Sequence, residues 1–163
     1  MIEVQARLRF NNHCLGDCRT KKTDRMLRDP EQRVIFKPVW WQSLMRYAAK
    51  VLNRHHDAVK GIDWDPVIDG DTRLFRRYYR PRQYMLHEAF YPGDVIGVNV
   101  VLPDRLTIAD FTQLLDVAGR YKGISPYGSD QKYGTFEVMD VKRRVRVTPS
   151  ERVTASASQQ PVR

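Results

Sequence analysis

At 163 residues, with 28 lysines and arginines against 19 acidic residues, the chain carries a formal net charge of +9. That length suits one domain burying about two thirds of its unfolded surface. No apolar run approaches the ~20 residues of a membrane-spanning helix. MIEVQARLRF also lacks a basic segment followed by an apolar core, so neither a membrane partner nor an export signal is expected, and the cytoplasm is the expected compartment.

Ile2, Val4, Ala6, Leu8 and Phe10 alternate with polar neighbours, the period-2 pattern of a half-buried strand. Residues 11–32 are polar, charged and aperiodic, which predicts a long exposed connection. Within it Cys14 and Cys18 lie close to His13. A second ligand pair at zinc spacing is missing, since His55 and His56 are adjacent and His87 stands alone. The cysteines therefore read as thiols of a reducing compartment, and neither a metal nor another cofactor is expected.

RVIFK (33–37) predicts a short strand leading into a helix whose first turn accepts Pro38. Trp40, Leu44, Tyr47 or Ala48, Val51 and Leu52 fall on one helical face, and Lys60-Gly61 offers the stop. In DWDPVIDG and the residue after it, Asp63, Asp65, Asp69 and Asp71 suit turns around Pro66 and Gly70 better than a two-metal site. DTRLFRRYY reads as a strand that Pro81 limits, QYMLHEAFY as either a short helix or an extended segment, and GDVIGVNVVLP (93–103) as a buried strand.

Residues 107–121 form the clearest helix. Thr107 and Asp110 make a near capping box, and Ile108, Phe111, Leu114, Leu115, Ala118 and Tyr121 repeat at helical spacing, with Gly119 near the end. After a glycine-rich loop, TFEVMDVKRRVRV alternates imperfectly through Phe136, Val138, Val141, Val145 and Val147, as a long last strand. Residues 148–163 are small, polar and aperiodic, which predicts a disordered basic tail. The order βαββαβ is that of an α+β, ferredoxin-like domain over 1–147, with the long loop 11–32, an antiparallel sheet and both helices on one face.

The positive charge is concentrated. Residues 73–82, RLFRRYYRPR, hold five arginines and no acid, residues 142–163 carry +5, and the remainder sums to −1. Clustering of this kind is the footprint of a polyanion binder. Arg73, Arg76, Arg77, Arg80 and Arg82 suit phosphates, and Tyr78 and Tyr79 suit base stacking, which together fit RNA or single-stranded DNA. Arg143 and Arg144 add to the second basic stretch. An edge strand guarded against aggregation by solvated charge has the same composition.

The loop GRYKGISPYGSDQKYGTFEV (119–138) is not a P-loop, because Gly-Lys-Ser/Thr is absent. Nor is it a dinucleotide fingerprint, since it follows a helix and precedes a strand. Turn chemistry alone accounts for Gly119, Gly123, Gly128 and Gly134. Its backbone N–H groups also suit a phosphate, helped by Arg120, Lys122 and Lys132. A ferredoxin-like domain with a glycine-rich loop between its last helix and last strand resembles the RAMP superfamily of CRISPR-associated RNA-binding proteins. The resemblance implies RNA contact at this loop, other subunits of a nucleoprotein complex as partners, and, for the nuclease members, a histidine acting in metal-independent RNA cleavage, for which His13 is the candidate. Small basic proteins of phages and other mobile elements have the same general appearance. A protein-interaction module is a third reading, in which one of Trp40 and Trp41, unable to share a helix face, serves as an exposed anchor.

Overall fold

The computed structural model describes residues 1–124 and 132–145. In chain order its strands are β1 (Ile2–Phe10), β2 (Cys14–Leu15), β3 (Cys18–Arg19), β4 (Thr23–Arg25), β5 (Asp63–Trp64), β6 (Arg73–Arg80), β7 (Gln83–Phe90), β8 (Val95–Leu102) and β9 (Phe136–Arg143). Two α-helices, α1 (Pro38–Val51) and α2 (Ile108–Tyr121), and a 3-10 turn at His56–Val59 complete the set. Gly128, Val147 and the tail 148–163 lie outside the described residues.

One sheet has the order β5-β8-β1-β9 with every neighbour antiparallel. Connected as β1-α1-β5 and β8-α2-β9, it is the ferredoxin-like arrangement. The alternation of β1 places Val4, Ala6, Leu8 and Phe10 against the helices, all essentially inaccessible. The imperfect alternation of β9 has a local cause. Val138 pairs with Leu8 but Asp140 pairs with Arg7, so Met139 is an extra residue, and the bulge puts Val141, not the residue at 140, back on the face of Val138. Val145 lies past the strand end and is exposed.

The second strand of this sheet is a correction to the sequence reading. It is the two-residue β5, not the basic stretch 73–80. The reason is burial: Trp64 stacks on Trp41 of α1 with ring centroids 4.3 Å apart and planes nearly parallel, whereas β6 has no apolar face for helices to cover. Instead β6 pairs with β7 in a second sheet of order β2-β7-β4-β3, with β6 on the other side of β7. QYMLHEAFY is thus strand. The connection 11–32 is likewise not a bare loop, because β2 and β4 occupy successive positions along one side of β7, β4 running parallel to it. RVIFK contributes only isolated bridges at Val34 and Ile35.

Helix α1 buries Trp41, Leu44, Met45, Ala48 and Ala49, so the apolar face is one residue round from the expected one; Trp40 is half-buried and Val51 is 50% exposed. It also stops nine residues before Lys60. Asn53 takes φ 54°, Arg54 N–H donates to the Ala49 carbonyl and Asn53 N–H to that of Lys50, a Schellman closure built on asparagine in place of glycine. At α2 the Thr107 hydroxyl accepts from Asp110 N–H, as the capping pattern predicts. Phe111, Leu114, Leu115 and Ala118 are buried, while Tyr121 is exposed. No helix among the described residues is long and apolar enough to cross a membrane.

Candidate nucleic-acid interface

The β6-β7 hairpin turns at Pro81-Arg82, with Arg82 held at φ 67°. Strand alternation sorts its residues. Phe75 and Arg77 face inward and are half-buried. Leu74, Arg76 and Tyr78 face outward beside Glu88, Leu86 and Tyr84 of β7, their direct partners in the ladder. On this outer face Leu74 is 61% exposed, Tyr78 59% and Tyr84 41%. The Arg76 guanidinium lies 4.9 Å over the Tyr84 ring, and the Tyr78 and Tyr84 centroids are 5.5 Å apart. Tyr79 is exposed where the ladder shifts register before Arg80, and Arg80 and Arg82 flank the tip. Aromatic faces and guanidinium forks therefore alternate along one open strip.

The inward face is used internally. Arg77 Nε–H donates to His87 Nε2 at 3.1 Å, and His87 Nδ1 lies 2.9 Å from the Gly16 carbonyl. Because an arginine can only donate, the His87 proton sits on Nδ1 and points at Gly16. Arg77 is thereby turned away from the outer strip.

His13 joins this hairpin to the glycine loop. Its ring stacks on Phe75 at 3.9 Å and meets Tyr91 edge-on at 4.6 Å. Burial, reinforced by the nearby Arg73 charge, lowers its pKa from 6.5. The His13 carbonyl accepts from Gly134 N–H at 2.7 Å, and Ile124 N–H donates to the Gly134 carbonyl at 2.9 Å. The buried Cys14 thiol, its pKa pushed far up by burial, donates to the Ile124 carbonyl. A side chain at Gly134 (φ 72°) would stand 2.1 Å from the Ile124 oxygen. The loop is thus pinched at Gly123-Ile124 and Gly134-Thr135, against the residue that packs beneath β6.

Other predicted residues are placed elsewhere. Gly119 is inside α2 and buried, so the helix stop is Gly123 (φ 76°). Arg120 pairs with Asp116 on the helix, and Lys122 donates to Ser43 of α1 and lies over the Tyr47 ring. Lys132 is exposed at the pinch with φ 55°. Arg143 pairs with Val4 and Arg144 N–H bonds the Glu3 carbonyl, both at the end of β1 opposite His13. Asp65 accepts from Val67 N–H, turn chemistry as expected. One group with metal-ligand atoms close together is His55, His56 and Asp57, all exposed.

The sequence reading missed Arg25 and Arg28. Both belong to the stretch 11–32, which has no periodicity to mark them; the pairing of β4 with β7 sets the face of Arg25.

No family profile matches the chain, and no curated protein does. Among solved structures, a chain in the cryo-EM structure of the Type III-B Cmr-beta bound to cognate target RNA matches with a TM-score of 0.59 at 9% identity. The two share a fold. The match covers 87% of this chain and 60% of the Cmr-beta chain, so the present chain spans under two thirds of the protein it matches. At that identity the likeness to the Cmr-beta chain is one of backbone arrangement alone.

Proposed function

We propose that this chain binds single-stranded RNA along the outer strip of the second sheet, as a non-catalytic cytoplasmic component of a nucleoprotein assembly of RAMP type. The observation that carries the reading is the strip itself: Leu74, Arg76, Tyr78 and Tyr84 exposed on one sheet face, with Arg80 and Arg82 at its tip. Aromatic rings stack on bases without regard to sequence, while arginines neutralise phosphates.

The free face of the ferredoxin-like sheet is a poorer candidate. Its outward residues on β1 and β8 include Glu3, Gln5, Arg7, Arg9, Val95, Gly97, Asn99 and Val101, with no aromatic ring. Arg7 pairs with Asp140 and Arg9 with Glu137. Charge there is already balanced, and among the described outward residues of β1 and β8 no aromatic ring offers a base a stacking face.

The fold likeness to a chain of a complex bound to target RNA supports RNA over DNA and supports a multi-subunit setting. His13 belongs to this reading as packing beneath β6, wedged between Phe75 and Tyr91, rather than as an acid or base. The pinched loop ending at Gly134 lies next to it and forms the flank of the surface.

Fluorescence anisotropy with a labelled single-stranded RNA over a salt series tests the proposal. Neutralising three phosphates by Arg76, Arg80 and Arg82 gives a log-log salt slope of about −2. Tyr78→Ala weakens binding by about 1–3 kcal/mol. Affinity indifferent to salt, an unaltered affinity in Tyr78→Ala, or no binding to RNA would each refute it. A DNA oligonucleotide of the same sequence is expected to bind more weakly.

A further inference from the structure

The outer strip does not end at Leu74. β4 lies on the other side of β7, and its alternation turns Asp24 inward, where it is buried, and Thr23 and Arg25 outward. Between β4 and β6, on the same face as Arg76 and Tyr78, runs a groove of about 290 Å³ lined by Thr23, Arg25, Arg28, Thr72, Arg73 and Leu74, with Glu88 as its floor. We propose that this groove is a phosphodiester subsite that takes one backbone phosphate of the strand stacked on the hairpin. The proposal rests on the RNA-binding reading above.

The groove is built. Glu88 is only 8% exposed, and its carboxylate accepts from the Met26 N–H, from the Thr72 hydroxyl at 2.7 Å and from the Arg28 guanidinium. Arg28 donates also to the Gln32 carbonyl and to Thr72. One nearly buried carboxylate therefore fixes an arginine and a hydroxyl at the groove wall before any ligand arrives, which lowers the ordering cost of binding. Arg73, which alternates to the inner face with Phe75, is held there by Asp94 at 3.3 Å and lies 4.0 Å over the Tyr91 ring.

Charge accounting selects the ligand. Arg28 is matched by Glu88 and Arg73 by Asp94. Arg25, exposed and with its side chain unengaged among the described residues, leaves the groove at +1. A monoanionic phosphodiester balances that charge, and a dianionic terminal phosphate exceeds it. A free fork on Arg25 offers two parallel N–H donors to phosphate oxygens.

The experiment replaces phosphates of a short single-stranded RNA one at a time by neutral methylphosphonates, and measures affinity for the wild type, Arg25→Ala, Arg25→Lys and Tyr78→Ala. In the wild type one position is expected to cost about tenfold, the equivalent of one charge-assisted hydrogen bond. Arg25→Ala shows a similar loss, becomes insensitive to that position and has a salt slope shallower by about 0.7. Arg25→Lys recovers only part of the affinity, because an ammonium restores the charge without the fork. Wild-type affinity and slope in Arg25→Ala, together with weakened binding in Tyr78→Ala, would overturn the subsite and leave the hairpin reading standing. No RNA binding by the wild type would overturn both. A gain in affinity from a 5′-terminal phosphate that Arg25→Ala abolishes would overturn the assignment to a phosphodiester.

Discussion

Gly119→Ala sets two local effects against each other, and the packing decides between them. Alanine in a helix interior is favoured over glycine by about 1 kcal/mol, and Gly119 lies inside α2. Its Cβ, however, would stand 2.3 Å and 2.4 Å from two ring carbons of Phe136 and 2.7 Å from the Phe136 carbonyl oxygen. Carbon contacts are ordinarily about 3.5–4.0 Å, so helix and strand must separate by roughly 1 Å. Phe136 cannot yield cheaply: it is fully buried, edge-on to Phe10 and at the start of β9. Overpacking of this kind costs about 1–3 kcal/mol, occasionally more. The expected balance is a destabilisation of up to about 2 kcal/mol, a fall in Tm of up to roughly 8 °C for a chain of this length. Urea denaturation followed by circular dichroism measures it. Gly97→Ala is the control, since a Cβ there meets only the Gln5 side-chain nitrogen at 3.6 Å and Asp69 Cβ at 3.8 Å; it is expected to be neutral or slightly stabilising. A more stable Gly119→Ala, or equal losses in the two variants, would refute the close-approach argument.

Three further outcomes follow from the same structure. His13 has a pKa below 6.5 because burial disfavours its charged form. Its contribution is therefore complete above that value and lost as pH falls through the folded pKa, so His13→Phe should flatten the decline in stability between neutral pH and pH 5, and an unchanged profile counts against the wedge. Arg82→Gly relieves a left-handed φ at the hairpin tip; stability is expected to hold or rise by up to about 1 kcal/mol while RNA affinity falls, and a loss of stability contradicts the assignment. Thr107→Ala removes the cap of α2 and should cost about 1 kcal/mol in denaturant midpoint analysis, whereas no change would mean the helix end is held by packing alone.

The two halves of the fold were unequally legible. β1, β8 and α2 carry clean periodicities, and each lies where its pattern places it. β5 has no pattern to read, being two residues anchored by one stacked tryptophan pair. β2 and β4 are short segments whose pairing is supplied by β7, a long-range contact with no local signature. The end of α1 was written at Asn53, where asparagine takes the left-handed role that glycine usually fills. Of the candidate site, the outward residues Arg76 and Tyr78 follow from strand alternation once β6 is given. That Arg77 turns to His87, and that Arg25 and Arg28 enter the same face, depends on which strands flank β7. The position of the glycine loop after the last helix was readable, but its pinch against His13 required the first strand and the last to be brought together at one end of the sheet.

Photo-crosslinking tests the proposed RNA-binding strip most directly. Single-stranded RNA carrying 4-thiouridine, irradiated with the full chain and mapped by mass spectrometry, is expected to mark Tyr78, Tyr79 and Tyr84 on the hairpin. Crosslinks confined to the free sheet face around Arg7, Arg9 and Asn99 would contradict the account.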